Sequence, residues 1–172
     1  MSKAFTKESD SAQDEVRPLP RRHIPAGVTN YITATGAKRL RDELAELTEK
    51  KRELNAAKTD VSGGETIEQR RVQDRIRQLQ EILQSVVVAD PPTGNRNRVG
   101  LGATVTVRDK NKDETTYRIV GLDEADPNND QISWLSPLAK QLMGKQAGER
   151  VQFRLPAGDQ ELEILAVGYE NS

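Results

Sequence analysis

Residues 35–85 read TGAKRLRDELAELTEKKRELNAAKTDVSGGETIEQRRVQDRIRQLQEILQS, and the fold turns on this stretch. Apolar residues fall at Leu40, Leu44, Leu47, Leu54 and Val61, with Lys51 in the remaining slot. A second series runs Val72, Ile76, Leu79, Leu83, Val86. In both, the spacing alternates between three and four, apart from the full seven-residue step from Leu54 to Val61, as in the a/d seam of a heptad. Between them lies Thr59-Asp60-Val61-Ser62-Gly63-Gly64-Glu65, whose adjacent glycines disfavour a helix by about 1 kcal/mol each. If the helices fold back, Leu40 faces Val86, Leu47 faces Leu79 and Leu54 faces Val72, all about a mirror point near residue 63. Seam and turn agree, so residues 31–90 are expected to form an antiparallel coiled-coil hairpin. From Leu40 to the turn such a hairpin reaches about 35 Å at roughly 1.5 Å per residue.

Outward from the hairpin the chain changes character. Residues 1–30 are polar, then proline-rich (Val16-Arg17-Pro18-Leu19-Pro20, Ile24-Pro25-Ala26-Gly27), and are expected to be a flexible tail. Residues 91–102 open with Pro91-Pro92 and read as a linker. Residues 103–172 read as a small antiparallel β domain with one short helix. Its strands are Ala103–Arg108, Thr115–Val120, Gln131–Leu135, Arg150–Leu155 and Glu161–Tyr169. Asp109-Lys110-Asn111-Lys112-Asp113 and Pro156-Ala157-Gly158-Asp159 supply turns, and Ser136, Pro137 and Gly144 punctuate a helix from Pro137 to Met143. The fold class is therefore α+β.

Composition limits the chemistry. Apolar residues are 34% and charged residues 31% of the 172-residue chain, so part of it must be elongated and solvated. The net charge is −1 and no segment is a polycation, which disfavours non-specific binding to bare nucleic acid. With no Cys and one His, disulfides, thiolate zinc sites and a Cys nucleophile are excluded. No apolar run approaches the roughly 20 residues that span a bilayer, and the N-terminus lacks the apolar core of a signal peptide. No membrane contact is expected, and the cytoplasm is the default compartment.

Several motifs then resemble the Gre-type transcript-cleavage factors of bacteria. They are Tyr31-Ile32-Thr33 with Gly36, Leu40 and Glu43-Leu44; Gly102 through Val107; Tyr117 through Asp126; Ile132-Ser133; Ser136-Pro137-Leu138-Ala139; Leu142 through Lys145; and Val167-Gly168-Tyr169. The resemblance covers about residues 30–170. It implies that the β domain is FKBP-like and docks beside the secondary channel of RNA polymerase, while the finger enters the channel. Tip carboxylates of the family help hold a second Mg²⁺ of the polymerase and promote hydrolysis of a backtracked RNA 3′ end. The partner is then RNA polymerase, with the nascent RNA 3′ end contacted indirectly. The chain would be a monomer, not an enzyme alone, and would hold no metal of its own.

The family tip reads Gly-Asp-x-x-Glu-Asn with an aromatic three positions on. Here it is matched by Gly64-Glu65-Thr66-Ile67-Glu68-Gln69, with Val72 at the aromatic place. Glu65 and Glu68 are the tip candidates, on one helix face by their i, i+3 spacing, and Asp60 is a third. The finger is also shorter than the family's by about one heptad per arm, roughly 10 Å. Two readings follow: stimulation of cleavage, or occupation of the channel without it. Lys50, Lys51, Arg52, Arg75 and Arg77 are expected to cluster midway, with Arg70 and Arg71 nearer the tip, for RNA or channel contact. By the resemblance, Asp123, Glu124, Asp126, Trp134, Ser136 and Pro137 are the expected polymerase contacts. A remoter reading is a prolyl isomerase, whose apolar pocket would need Tyr117, Trp134, Phe153 or Tyr169.

Overall fold

Thr33 and Thr66 start the two long helices, and both do so through their hydroxyls. A computed structural model of the chain describes residues 23–57, 65–89, 94, 96–155 and 158–170. Strand β1 (Asn30–Thr33) runs into helix α1 (Ala34–Ala56), where Thr33 Oγ1 accepts from the Gly36 amide at 3.0 Å. Helix α2 (Ile67–Ser85) opens with a reciprocal capping box. The Gln69 amide donates to Thr66 Oγ1 at 3.2 Å, and the Thr66 amide donates to Gln69 Oε1 at 2.9 Å. Gln69 also donates from Nε2 to the Leu54 carbonyl of α1 at 3.2 Å, tying the helices together near the tip.

The helices pair as expected. Leu40, Val72, Ile76 and Leu79 are buried, and Leu44, Leu47, Leu83 and Val86 pack at the base of the seam. The Gly63-Gly64 turn, with Asp60 and Val61, lies outside the described residues, as do the tail residues 1–22 and Pro91-Pro92.

One departure stands out at the base. Val86 is not a helical rung but the first residue of a strand, β2 (Val86–Ala89), which pairs in parallel with β1 from Asn30↔Val86 to Thr33↔Ala89. Three consecutive valines favour extended backbone, and their partner strand lies at the far end of the hairpin in sequence. The finger thus begins and ends on one short ladder.

The β domain contains β3 (Ala103–Arg108), β4 (Glu114–Val120), β5 (Gln131–Ser133), α3 (Pro137–Leu142), β6 (Arg150–Leu155) and β7 (Gly158–Tyr169). The sheet order is β5-β4-β3-β7-β6. Strand alternation buries Ala103, Val105 and Val107 against Ile119, Ala139, Leu142, Val151, Leu162 and Ile164. The expected all-antiparallel sheet needs a correction: β4 and β5 are parallel, because the crossover from Gly121 to Asp130 carries the chain back before β5.

That crossover also joins the two halves. In its 3-10 turn, Leu122–Glu124, the Glu124 side chain points inward and is 4% exposed. Its carboxylate accepts from the Thr33 amide at 2.8 Å, from the Gly121 amide at 2.8 Å and from the Thr33 hydroxyl. Two glycines make room. A Cβ on Gly36 would lie 1.8 Å from Glu124 Oε1, and one on Gly121 would lie 2.4 Å from the Tyr31 carbonyl. Asn30 reaches Asp123 at 2.8 Å, and Tyr31 meets Trp134 edge-on with ring centroids 5.7 Å apart.

Removing the carboxylate strands two buried amides, each costing about 1–3 kcal/mol. Glu124→Ala should therefore lower unfolding stability by about 3 kcal/mol in urea titration. Gly36→Ala should cost a similar amount by overlap. Thr66→Ala should cost about 1 kcal/mol and fray α2, read by circular dichroism.

Candidate functional site

At the tip, Glu65 and Glu68 part company. Helix α2 begins at Ile67 with Thr66 as its cap, so Glu65 precedes the helix and Glu68 sits in its first turn. The expected shared helix face for the pair therefore does not form, because Glu65 is not helical. Glu65 lies 3.7 Å from Arg70 Nε, and Glu68 bonds Lys50 Nζ of α1 at 2.7 Å. The Lys50 hydrogen bond, then the Lys50 charge, with Arg71 adding, hold the Glu68 carboxyl below the usual carboxylate range. The pair is complete above the ordinary glutamate range and is lost as pH falls through that lowered value.

Each described tip carboxylate thus already has a cation. Both are exposed oxygen donors of the kind Mg²⁺ prefers, but they are not a ready pair of ligands. Among the described residues, no three His, Asp or Glu side chains gather into a metal site. Asp60 lies outside the described residues.

The basic residues do not form the expected single cluster. Arg75 grips Glu43 with two bonds, 2.6 and 2.9 Å, and also donates to Gln78. Lys50 crosses to Glu68, so Lys50 and Arg75 engage opposite helices seven residues apart, about 10 Å along the finger. Arg52 pairs with Glu49 at 3.6 Å and Arg77 with Asp74 at 3.8 Å. Lys51 is half-buried in the seam and Arg71 exposed. Opposite charges interleave along the rod, so its surface is a lattice of ion pairs rather than a bare cationic stripe.

On the β domain, Glu124 is no contact residue, since burial and three donors consume it. Asp126 caps the next 3-10 turn, accepting from the Asn128 amide and from Asn129 Nδ2. Ser136 caps α3 by accepting from the Ala139 amide at 3.2 Å, and Pro137 is exposed beside it. Trp134 is half-buried against the core. Beside it the structure adds two residues missed in the sequence: Tyr31, 38% exposed, and its ladder partner Val87, 49% exposed. The alternation of exposed Tyr31 with buried Ile32 was the available signal. Among the described residues, two clefts beside the finger–platform junction are lined by no aromatic side chain.

Comparison with known proteins bears on this architecture directly. Residues 93–169 match the family described as transcription elongation factor, GreA/GreB, C-term. The chain is 40% identical over 133 residues to transcription elongation factor GreA of Nautilia profundicola, covering 76% of this chain and 82% of that one. It is 36% identical over 153 residues to transcription elongation factor GreB of Neisseria meningitidis serogroup B, covering 81% and 94%. A solved GreA/GreB factor from Nitrosomonas europaea is 22% identical with a TM-score of 0.42, covering 82% of this chain and 100% of that chain. Matched at this identity over most of the length of these relatives, the chain belongs to the GreA/GreB family of transcription elongation factors.

Proposed function

We propose that the chain binds RNA polymerase at its secondary channel and modulates elongation by occupying that channel, without itself completing a metal site for RNA cleavage. Family membership and the finger-plus-platform architecture support the binding. The observation that carries the non-cleaving reading is the 2.7 Å bond between Glu68 and Lys50. That bond turns Glu68 toward α1, while Glu65 stands outside the helix with a different partner, so the two carboxylates are not held together as a ligand pair. The platform would present Trp134, Tyr31, Val87 and Pro137, with Asp123 and Asp126 at the rim. Aromatic anchors of this kind dominate protein interfaces. Most of the finger's ion pairs are solvent-exposed, which leaves both signs available to the channel walls.

Purified chain added to a backtracked elongation complex should leave the RNA 3′ end shortening at its unassisted rate. It should also compete with a cleavage-stimulating factor. Acceleration beyond about tenfold, abolished by Glu65→Gln with Glu68→Gln, would replace this reading with the cleavage one. Failure to compete would remove channel binding.

Truncating the anchors should weaken polymerase binding about tenfold each, roughly 1.4 kcal/mol, in Tyr31→Ala and Trp134→Ala. Asn111→Ala, on the exposed β3–β4 turn, should bind as the parent does. Fluorescence anisotropy with labelled chain reads both.

A further inference from the structure

Two capping boxes overlap at the tip of the finger, offset by one residue. Thr66 and Gln69 form the one the structure uses. The Gln69 amide donates to Thr66 Oγ1 at 3.2 Å, and the Thr66 amide donates to Gln69 Oε1 at 2.9 Å. Glu65 and Glu68 stand at the same spacing, one position earlier. Used as a box, they would make Glu65 the cap and Glu68 the third helical residue, whose carboxylate reaches back to the cap amide. Both carboxylates would then meet at one helix end. Instead, Glu68 is the second residue of α2 and bonds Lys50 across the hairpin at 2.7 Å.

Side-chain length explains which box forms. Threonine is a favoured cap, whereas glutamate, one methylene longer than aspartate, is not. Gln69 adds a second hold. It is 7% exposed, and the side-chain amide that closes the box also donates from Nε2 to the Leu54 carbonyl at 3.2 Å. With Gln69 held against α1, the cap decides where the first turn begins.

We propose that Thr66, with Gln69, is a specificity-determining positioning residue. By starting α2 one residue later than the glutamate box would, it keeps Glu65 and Glu68 from meeting as a pair of metal ligands. This inference deepens the non-cleaving reading above and rests on it. Thr66 acts through the two glutamates rather than on the RNA.

Glu65→Asp combined with Thr66→Ala tests it, because the change removes one cap and supplies a favoured one to the other box. Residues 65 and 66 are both exposed, so the seam is untouched. Backbone chemical shifts of the full chain should move the first helical residue from 67 to 66. Added to a backtracked elongation complex, the variant should speed shortening of the RNA 3′ end by about tenfold or more over the parent. Adding Glu68→Gln should abolish that gain. Thr66→Ser, which keeps the hydroxyl, should change neither the helix start nor the rate. A variant whose helix start moves while the RNA shortens at the parental rate would assign the silence to the reach of the finger and overturn the role of the cap. A helix start that stays at 67 would overturn it equally. Acceleration by the parent itself would sink the non-cleaving reading, and this inference with it.

Discussion

A single buried carboxylate, Glu124, holds the two halves of this molecule in register. A charge removed from water must be met by donors, and here they come from both sides of the junction: Thr33 at the foot of the finger and Gly121 on the platform. The Thr33 hydroxyl in turn caps α1, so the start of the finger and its attachment share one hydrogen-bonded chain. Because Gly36 and Gly121 both press on the same side chain, the joint has little freedom to tilt. The direction of the rod follows from this contact, whereas its cohesion comes from the leucine and isoleucine seam above it.

Much of this was legible in the chain because it is local. The heptad spacing located both helices, and the β3–β4 and β6–β7 pairings followed from alternation and turns close in sequence. What escaped was non-local. Pairing between β1 and β2 joins positions at opposite ends of the hairpin, and no local pattern announces a parallel ladder of four residues. The same holds for β5, which lies parallel to β4 after an irregular crossover. Glu124 sits in an acidic run from Asp123 to Asp126 that reads as surface, and only the two distant glycines reveal why it turns inward.

At the tip, the sequence also carries a local signal for where the second helix starts. Thr66 and Gln69 have the spacing of a capping box, which starts the helix one residue after Thr66 and leaves Glu65 outside. Gln69 then serves twice, closing the cap and bonding α1. It occupies the place where the family carries Asn. The neighbouring carboxylates are absorbed into the ion-pair lattice of the rod.

The parallel β1–β2 ladder has a consequence for how such proteins vary. Because residues 30 and 86 are neighbours, the helical segment leaves and returns through one fixed gate. Matched whole-heptad additions or deletions in its two arms preserve the seam and leave the gate untouched. Reach is thereby uncoupled from anchorage, and a lineage can retune how deep its probe goes while the part that grips stays the same.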